Sequence, residues 1–321
     1  MEYKEFILKV KMAVEEELGK DYEVKLQQVL KNNGSLLDGL SICKCKENCA
    51  PVIYLNAYYE QFKREMPFNE IGIASNSYGF EIVMDIVEVF TENQDMTSGI
   101  AQAFTSFEEM KDRVVYNLIR AETNTELLKD IPHVRFLDMA VVFYLLLDRN
   151  EKGRMTALIH NNHLECWKIT GDELYQIAKV NTPKLFPAKI QTLGQVLLEI
   201  CKVQFGDSLN PDMIEELSEE EDTASSFYVL SNGDGVKGAG CILYEGCLRK
   251  LAEQQHSDLI ILPSSIHEVL LVCDRGEMNY QELNEMVKCI NKENVPMEDV
   301  LSDRIYRYSC ADDKISLIDT L

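Results

Sequence analysis

The sequence predicts an α+β fold, with mixed, mostly antiparallel sheets and helices packed on them, in two or three units. Three observations lead there. Apolar residues recur at helical spacing, first at Phe6, Val10, Ala13, Val14 and Leu18. Apolar runs of strand length, such as PVIYLN at 51–56 and LIILP at 259–263, are bounded by turn residues. Asn33-Gly34 then marks a hairpin, because both residues tolerate positive φ.

Taken in order, residues 3–18 read as an amphipathic helix and YEVKLQQVLKNNGSLLDGLSI as a hairpin. PVIYLN adds a third strand, a helix follows from about Ala57, and GFEIVMDIVEVF at 79–90 is another. These make an N-terminal helix-hairpin-helix unit over 1–100. A second unit, 108–205, opens with the strand RVVYNLI and a short helix after Asn124. It continues as an antiparallel meander: VRFLDMAVVFYLLLD, a turn at RNEKG, RMTALIH, a turn at Asn161-Asn162, and HLECWKI. Gly171 and Asp172 start a helix that should stop before Pro183. Residues 206–226, with six acids between 215 and 222, read as an acidic linker. The last unit, 227–321, runs through the strand FYVLS, a glycine-rich turn, the strand CILY and the helix GCLRKLAEQQ. LIILP, VLLVC, the helix YQELNEMVKCINKE and a final strand RIYRYSC complete it.

The chain has 321 residues, 46% of them hydrophobic and 27% charged, an ordinary globular balance with room for two or three domains. The net charge of −22 is not ordinary: it repels phosphate backbones, so nonspecific binding to nucleic acid or anionic lipid is disfavoured and a protein partner is expected. The opening MEYKEFILKVKMAVEEELG lacks the apolar core of a signal peptide, and the longest apolar run, MAVVFYLLL at 139–147, is too short to span a bilayer. The expectation is a cytoplasmic protein without membrane contact, its ten cysteines reduced. No cofactor is implied, and no oligomeric state can be read.

The stretch ILPSSIHEVLLV at 261–272 gathers Ser264, Ser265, His267 and Glu268 between two continuous apolar runs. Pro263 cannot donate to a central ladder, so the first strand stops there. In one reading the polar residues serve a turn, or the rim of a ligand site. In the other, Ser265 is a nucleophile activated by His267 with an acid behind it. An extended backbone would put Ser265 and His267 on one face and Glu268 on the other, and no G-x-S-x-G elbow accompanies them. GDGVKG at 233–238 has the letters of a dinucleotide fingerprint. No helix is expected at its third glycine, however, and no acid closes the next strand, so a hairpin turn is the better reading. Cys43, Cys45 and Cys49 could offer zinc clustered thiolates, but their C-x-C-x3-C spacing lacks paired knuckles, and a surface turn with incidental thiols is the better reading. With Asn161-Asn162 as a two-residue turn, His160 and His163 become cross-strand neighbours able to share a metal, with Glu165 on the same face as His163, but polar residues at a hairpin tip are the better reading and no metal is expected.

NNGSLLDGLSI with PVIYLN, FYVLSN with GAGCILY and, above all, LPSSIHEVLLV resemble an uncharacterised bacterial family, domain of unknown function family 5688. The likeness spans most of the chain. It implies a shared fold and a bacterial cytosolic origin, often on mobile elements, but no activity. The family pattern does not call for the cysteines near PVIYLN, and it makes 264–268 the first segment to examine. The expected function is a non-enzymatic cytoplasmic interaction or regulatory module. The alternatives are a hydrolase using Ser265 and His267, or a metal or thiol module at Cys43, Cys45 and Cys49.

Overall fold

In a computed structural model of the chain, the described residues are 1–44, 52–65, 77–103, 106–150, 153–205, 227–263, 265–276 and 278–319. They divide into two compact units, Met1–Met110 and Lys111–Leu321. Among them, no helix is long and apolar enough to cross a membrane.

The first unit begins with α1 (Tyr3–Leu18), whose Phe6, Val10 and Val14 repeat every four residues and are fully buried as one stripe. Each such side chain contributes about 1.5–3 kcal/mol by leaving water. Strands β1 (Tyr22–Leu30) and β2 (Leu36–Lys44) pair antiparallel, with Leu30 opposite Leu36. The connection is a short 3₁₀ turn in which Asn33 (φ 57°) and Gly34 (φ 74°) both take the left-handed conformation, as the Asn-Gly pair predicts. β3 (Val52–Tyr54) joins β2 where Gly39 leaves room: a Cβ there would meet Val52 Cγ1 at 2.3 Å. One sheet face carries Val24, Leu40, Ile42 and Ile53. Helices α1, α2 (Leu55–Glu65) and α3 (Ser77–Ala103) share that core through Phe6, Leu55, Phe62 and Ile86, and α4 (Phe107–Met110) ends the unit.

The second unit holds two antiparallel sheets. In the first, β4 (Val114–Arg120) pairs along one side of β6 (Met139–Asn150). After α5 (Thr125–Asp130), β5 (His133–Phe136) pairs with the start of β6, and β7 (Gly153–Leu158) pairs with its end. β4 is nearly all buried although it ends the sheet, so its outer backbone groups need partners. Side chains from α7 (Gly171–Leu185), which follows α6 (Asn161–Trp167), supply some of them: Tyr116 N donates to Thr182 Oγ1 at 3.0 Å, and Asn181 Nδ2 donates to the Val114 carbonyl at 3.2 Å.

The second sheet has six strands. β8 (Ala188–Thr192) leads into α8 (Leu193–Phe205); β9 (Phe227–Asn232), α9 (Cys247–Gln255), β10 (Asp258–Leu262), β11 (Val269–Asp274), α10 (Tyr280–Glu293), β12 (Tyr306–Ser309) and β13 (Lys314–Leu317) complete the chain order. Its spatial order is β13-β12-β10-β11-β9-β8. The continuous apolar runs of β10 and β11 lie inside it, where Ile260, Leu262 and Val272 meet Val287 of α10. Asp138, in the turn between β5 and β6, accepts hydrogen bonds from Ser302 Oγ and Tyr306 Oη, each at 2.7 Å, and so ties the two sheets together.

The α+β class and its antiparallel sheets agree with the sequence expectation, but several local readings need correction. HLECWKI is not a strand: its first residues belong to α6, so Asn161-Asn162 opens a helix rather than a hairpin turn. VRFLDMAVVFYLLLD is two strands, because Leu137 takes φ 56° and reverses the chain. CILY, read as a strand, lies largely within the 3₁₀ turn Gly238–Leu243, so GDGVKG is a turn but not a hairpin. α7 runs through Pro183 instead of stopping before it.

Candidate functional site

The segment linking β10 to β11 is the polar loop singled out by the sequence. Ser264 lies outside the described residues. Ser265 is 5% exposed and Ile266 7%, while His267 and Glu268 are half-buried, so much of the loop is withdrawn from solvent where a surface turn would be wet. A buried turn must find partners for its backbone groups, and this one finds them on three segments. Ile266 N donates to the Asp299 carbonyl at 2.8 Å, and Ser265 N to the Glu268 carbonyl at 3.3 Å. The Ile266 and His267 carbonyls accept from Ala239 N at 3.1 Å and Gly238 N at 2.8 Å, and the His267 carbonyl also accepts from Ser231 Oγ at 2.7 Å.

The glycine-rich turn is therefore the other half of the site. Gly238 sits so close to the loop that a Cβ there would meet Ser231 Oγ at 2.2 Å, Asn232 N at 2.5 Å and His267 O at 2.8 Å. The third glycine of GDGVKG admits a neighbouring protein backbone, where in the dinucleotide fingerprint it would let a helix pack closely on its strand.

The side chains are tied down in the same way. Ser265 Oγ donates to Glu268 Oε1 at 2.7 Å and accepts from His267 N at 3.0 Å. His267 Nδ1 accepts from Lys237 N at 3.1 Å, so the ring proton sits on Nε2, which faces Asp299 Oδ1 at 3.2 Å. The structure thus brings Ser265, His267 and Glu268 together but does not wire them as a nucleophile and base. The serine hydroxyl points its proton at Glu268, while the imidazole is engaged on both nitrogens by other groups. In place of a charge-assisted triad, the arrangement pins three chain segments. Sequence reasoning misses Ser231, Gly238 and Asp299; the one signal that bears on them is the glycine spacing of GDGVKG, which a hairpin turn explains equally well.

Of the metal candidates, Cys43 is half-buried with its Sγ 3.9 Å from the Glu23 carbonyl, and Cys45 and Cys49 lie outside the described residues. His160 and His163 do not face each other across a hairpin. His160 precedes α6, and His163 Nδ1 accepts from its backbone N–H at 3.0 Å, serving the helix start instead of offering a ligand. The His163 ring stacks on Trp167 with centroids 5.6 Å apart, and burial, followed by the neighbouring His160, holds its pKa below the usual histidine value. Among the described residues, no three His, Cys, Asp or Glu side chains are grouped to hold a metal.

The model of one family, described as a family of unknown function (DUF5688), matches residues 3–310. No curated protein and no solved structure matches the chain.

Proposed function

The chain belongs to this family of unknown function, DUF5688, and from the interlocked loop we propose that it is a non-enzymatic interaction or regulatory module. The observation that carries this reading is the engagement of the Ser265 hydroxyl and of both His267 ring nitrogens by fixed partners. A nucleophile activated by a base needs that hydroxyl and that imidazole facing each other. With the loop serving the fold, the acidic surface becomes the recognition element: a chain of net charge −22 is steered toward a protein presenting basic residues. The eight described cysteines are free thiols, which supports action in the reducing cytoplasm.

The test has two arms. A serine-reactive fluorophosphonate should leave Ser265 unlabelled, and affinity capture should recover a stoichiometric basic partner that is released as salt rises from about 0.1 M to about 0.5 M. Labelling of Ser265 that disappears in His267→Ala would overturn the reading in favour of a hydrolase. Failure to recover any partner at low salt would overturn it as well.

A further inference from the structure

At its β8–β9 end, the six-stranded sheet borders a cleft of about 650 Å³, within the range of small-molecule sites. None of the described loop residues 263–268 lines it. Thr192 pairs with Tyr228 and Ile190 with Leu230, so Ala188, Ile190 and Thr192 share a sheet face with Tyr228, and that face is the floor. Lys189 and Gln191, on the opposite face, bond Glu199 of α8 at 2.9 and 2.8 Å. α8 therefore takes the far face, and α9 supplies the wall of the cleft through Lys250, Leu251 and Gln254.

The lining mixes apolar and polar side chains, and several of the polar ones face solvent with no partner from the fold among the described residues. Glu245, Lys250, Gln254 and Gln255 have no side-chain hydrogen bond or ion pair among the described residues. Gln195 uses its carbonyl oxygen on Thr192 N, which leaves its amide protons free to donate. Cys247 also lines the cleft, but burial pushes its thiol up to about 11, so it stays protonated and points to binding rather than covalent chemistry.

Charge decides the ligand class. Among the described residues, the lining holds one cation, Lys250, and one carboxylate, Glu245, within a chain of net charge −22. A purely anionic ligand would meet Glu245 and the field of the whole chain, while a purely cationic one would find better sites elsewhere on the acidic surface. A zwitterion satisfies both groups. Three glutamines then match the donors and acceptors of peptide bonds, since each amide side chain offers both. We infer that the cleft binds a short peptide with free termini, its carboxylate on Lys250, its ammonium on Glu245, and aliphatic side chains over Ile190, Leu251 and Tyr228.

The probe is a pool of synthetic tripeptides of Ala, Val and Leu at millimolar concentration, with retention read by equilibrium dialysis and mass spectrometry. The intact chain should retain free-termini peptides about fivefold better than their C-amidated forms. Lys250→Gln, a change at an exposed side chain, should lose that preference, and Ala188→Trp, which fills the cleft from an exposed position, should abolish retention. Failure of the wild-type chain to retain any peptide would overturn the proposal. So would retention unchanged in both variants, or no discrimination between free and amidated termini.

Discussion

The loop at 263–268 and the cleft beside α9 lie in one unit and draw on the same chemistry, yet they use it in opposite ways. In the loop, a serine, a histidine and a glutamate are each bonded to a neighbour within 3.3 Å, and the backbone is closed around them by Ser231, Gly238 and Asp299. In the cleft, a lysine, a glutamate and two glutamines are held on ordered elements with no side-chain partner among the described residues. A polar group bonded within the fold lowers its free energy, whereas an unengaged one is open to something else. The most conspicuous polar motif is therefore the less promising place for ligand chemistry.

The largest expected effect tests the interlocked side of that contrast. Gly238→Ala places a methyl group 2.5 Å from Asn232 N and 2.8 Å from the His267 carbonyl, both backbone atoms that cannot rotate away. The two segments must separate, at a cost of about 3 kcal/mol. Urea unfolding checks this, and a loss below about 1 kcal/mol would mean that the interlock is soft.

Ser265→Ala comes next. It leaves the part-buried His267 N–H without its acceptor and Glu268 without its donor, for a loss of about 1–2 kcal/mol. Glu268→Gln keeps an oxygen to accept from Ser265 and should cost less than about 1 kcal/mol. Equal stability of Ser265→Ala and wild type would show that the hydroxyl is not structural, and would revive a chemical role for it.

These two variants also mark how far the sequence could be read. Phe6, Val10 and Val14 announce α1 because a helix presents every third or fourth residue to one side, and Asn33-Gly34 announces its turn because few pairs accept positive φ. Edge strands β8 (AKIQT) and β13 (KISL) escape notice because short, half-polar segments lack a decisive period. HLECWKI misleads for a related reason: seven residues span about two helical turns, too few for a period to decide between helix and strand. The letters of the loop are legible, but its partner is not, since Gly238 and His267 are 29 positions apart and meet only through the pairing of β9 with β11. The cleft is invisible for the same reason, being assembled from α7, β8, the start of α8, β9 and α9.

A smaller effect comes from His163, which repeats the device of His267 by accepting a backbone N–H on Nδ1. Its pKa in the folded chain is lowered, chiefly by burial, below the ordinary value of 6.5. The unfolded chain therefore takes up the proton first as pH falls. Stability from this group is complete above about 6.5 and declines as pH drops toward the depressed folded value. Comparing urea midpoints at pH 7.5 and 5.5 tests this against His163→Gln, whose amide can still accept the N–H but does not titrate in that window. Equal pH dependence in the two proteins would assign the decline to other groups.

The smallest effect is the one that most directly separates the two regions. Lys250 and Gln254 are exposed on α9 and bonded to no side chain among the described residues, so Lys250→Gln and Gln254→Ala should each change stability by less than about 0.5 kcal/mol. Helix propensity works the same way, since lysine, glutamine and alanine are all good helix formers. If either variant lost more than about 1 kcal/mol in urea unfolding, the polar lining of the cleft would serve the fold just like the loop. A null effect on stability, set beside a fivefold loss of preference for free peptide termini in Lys250→Gln, would show a side chain kept for a ligand instead of for the fold.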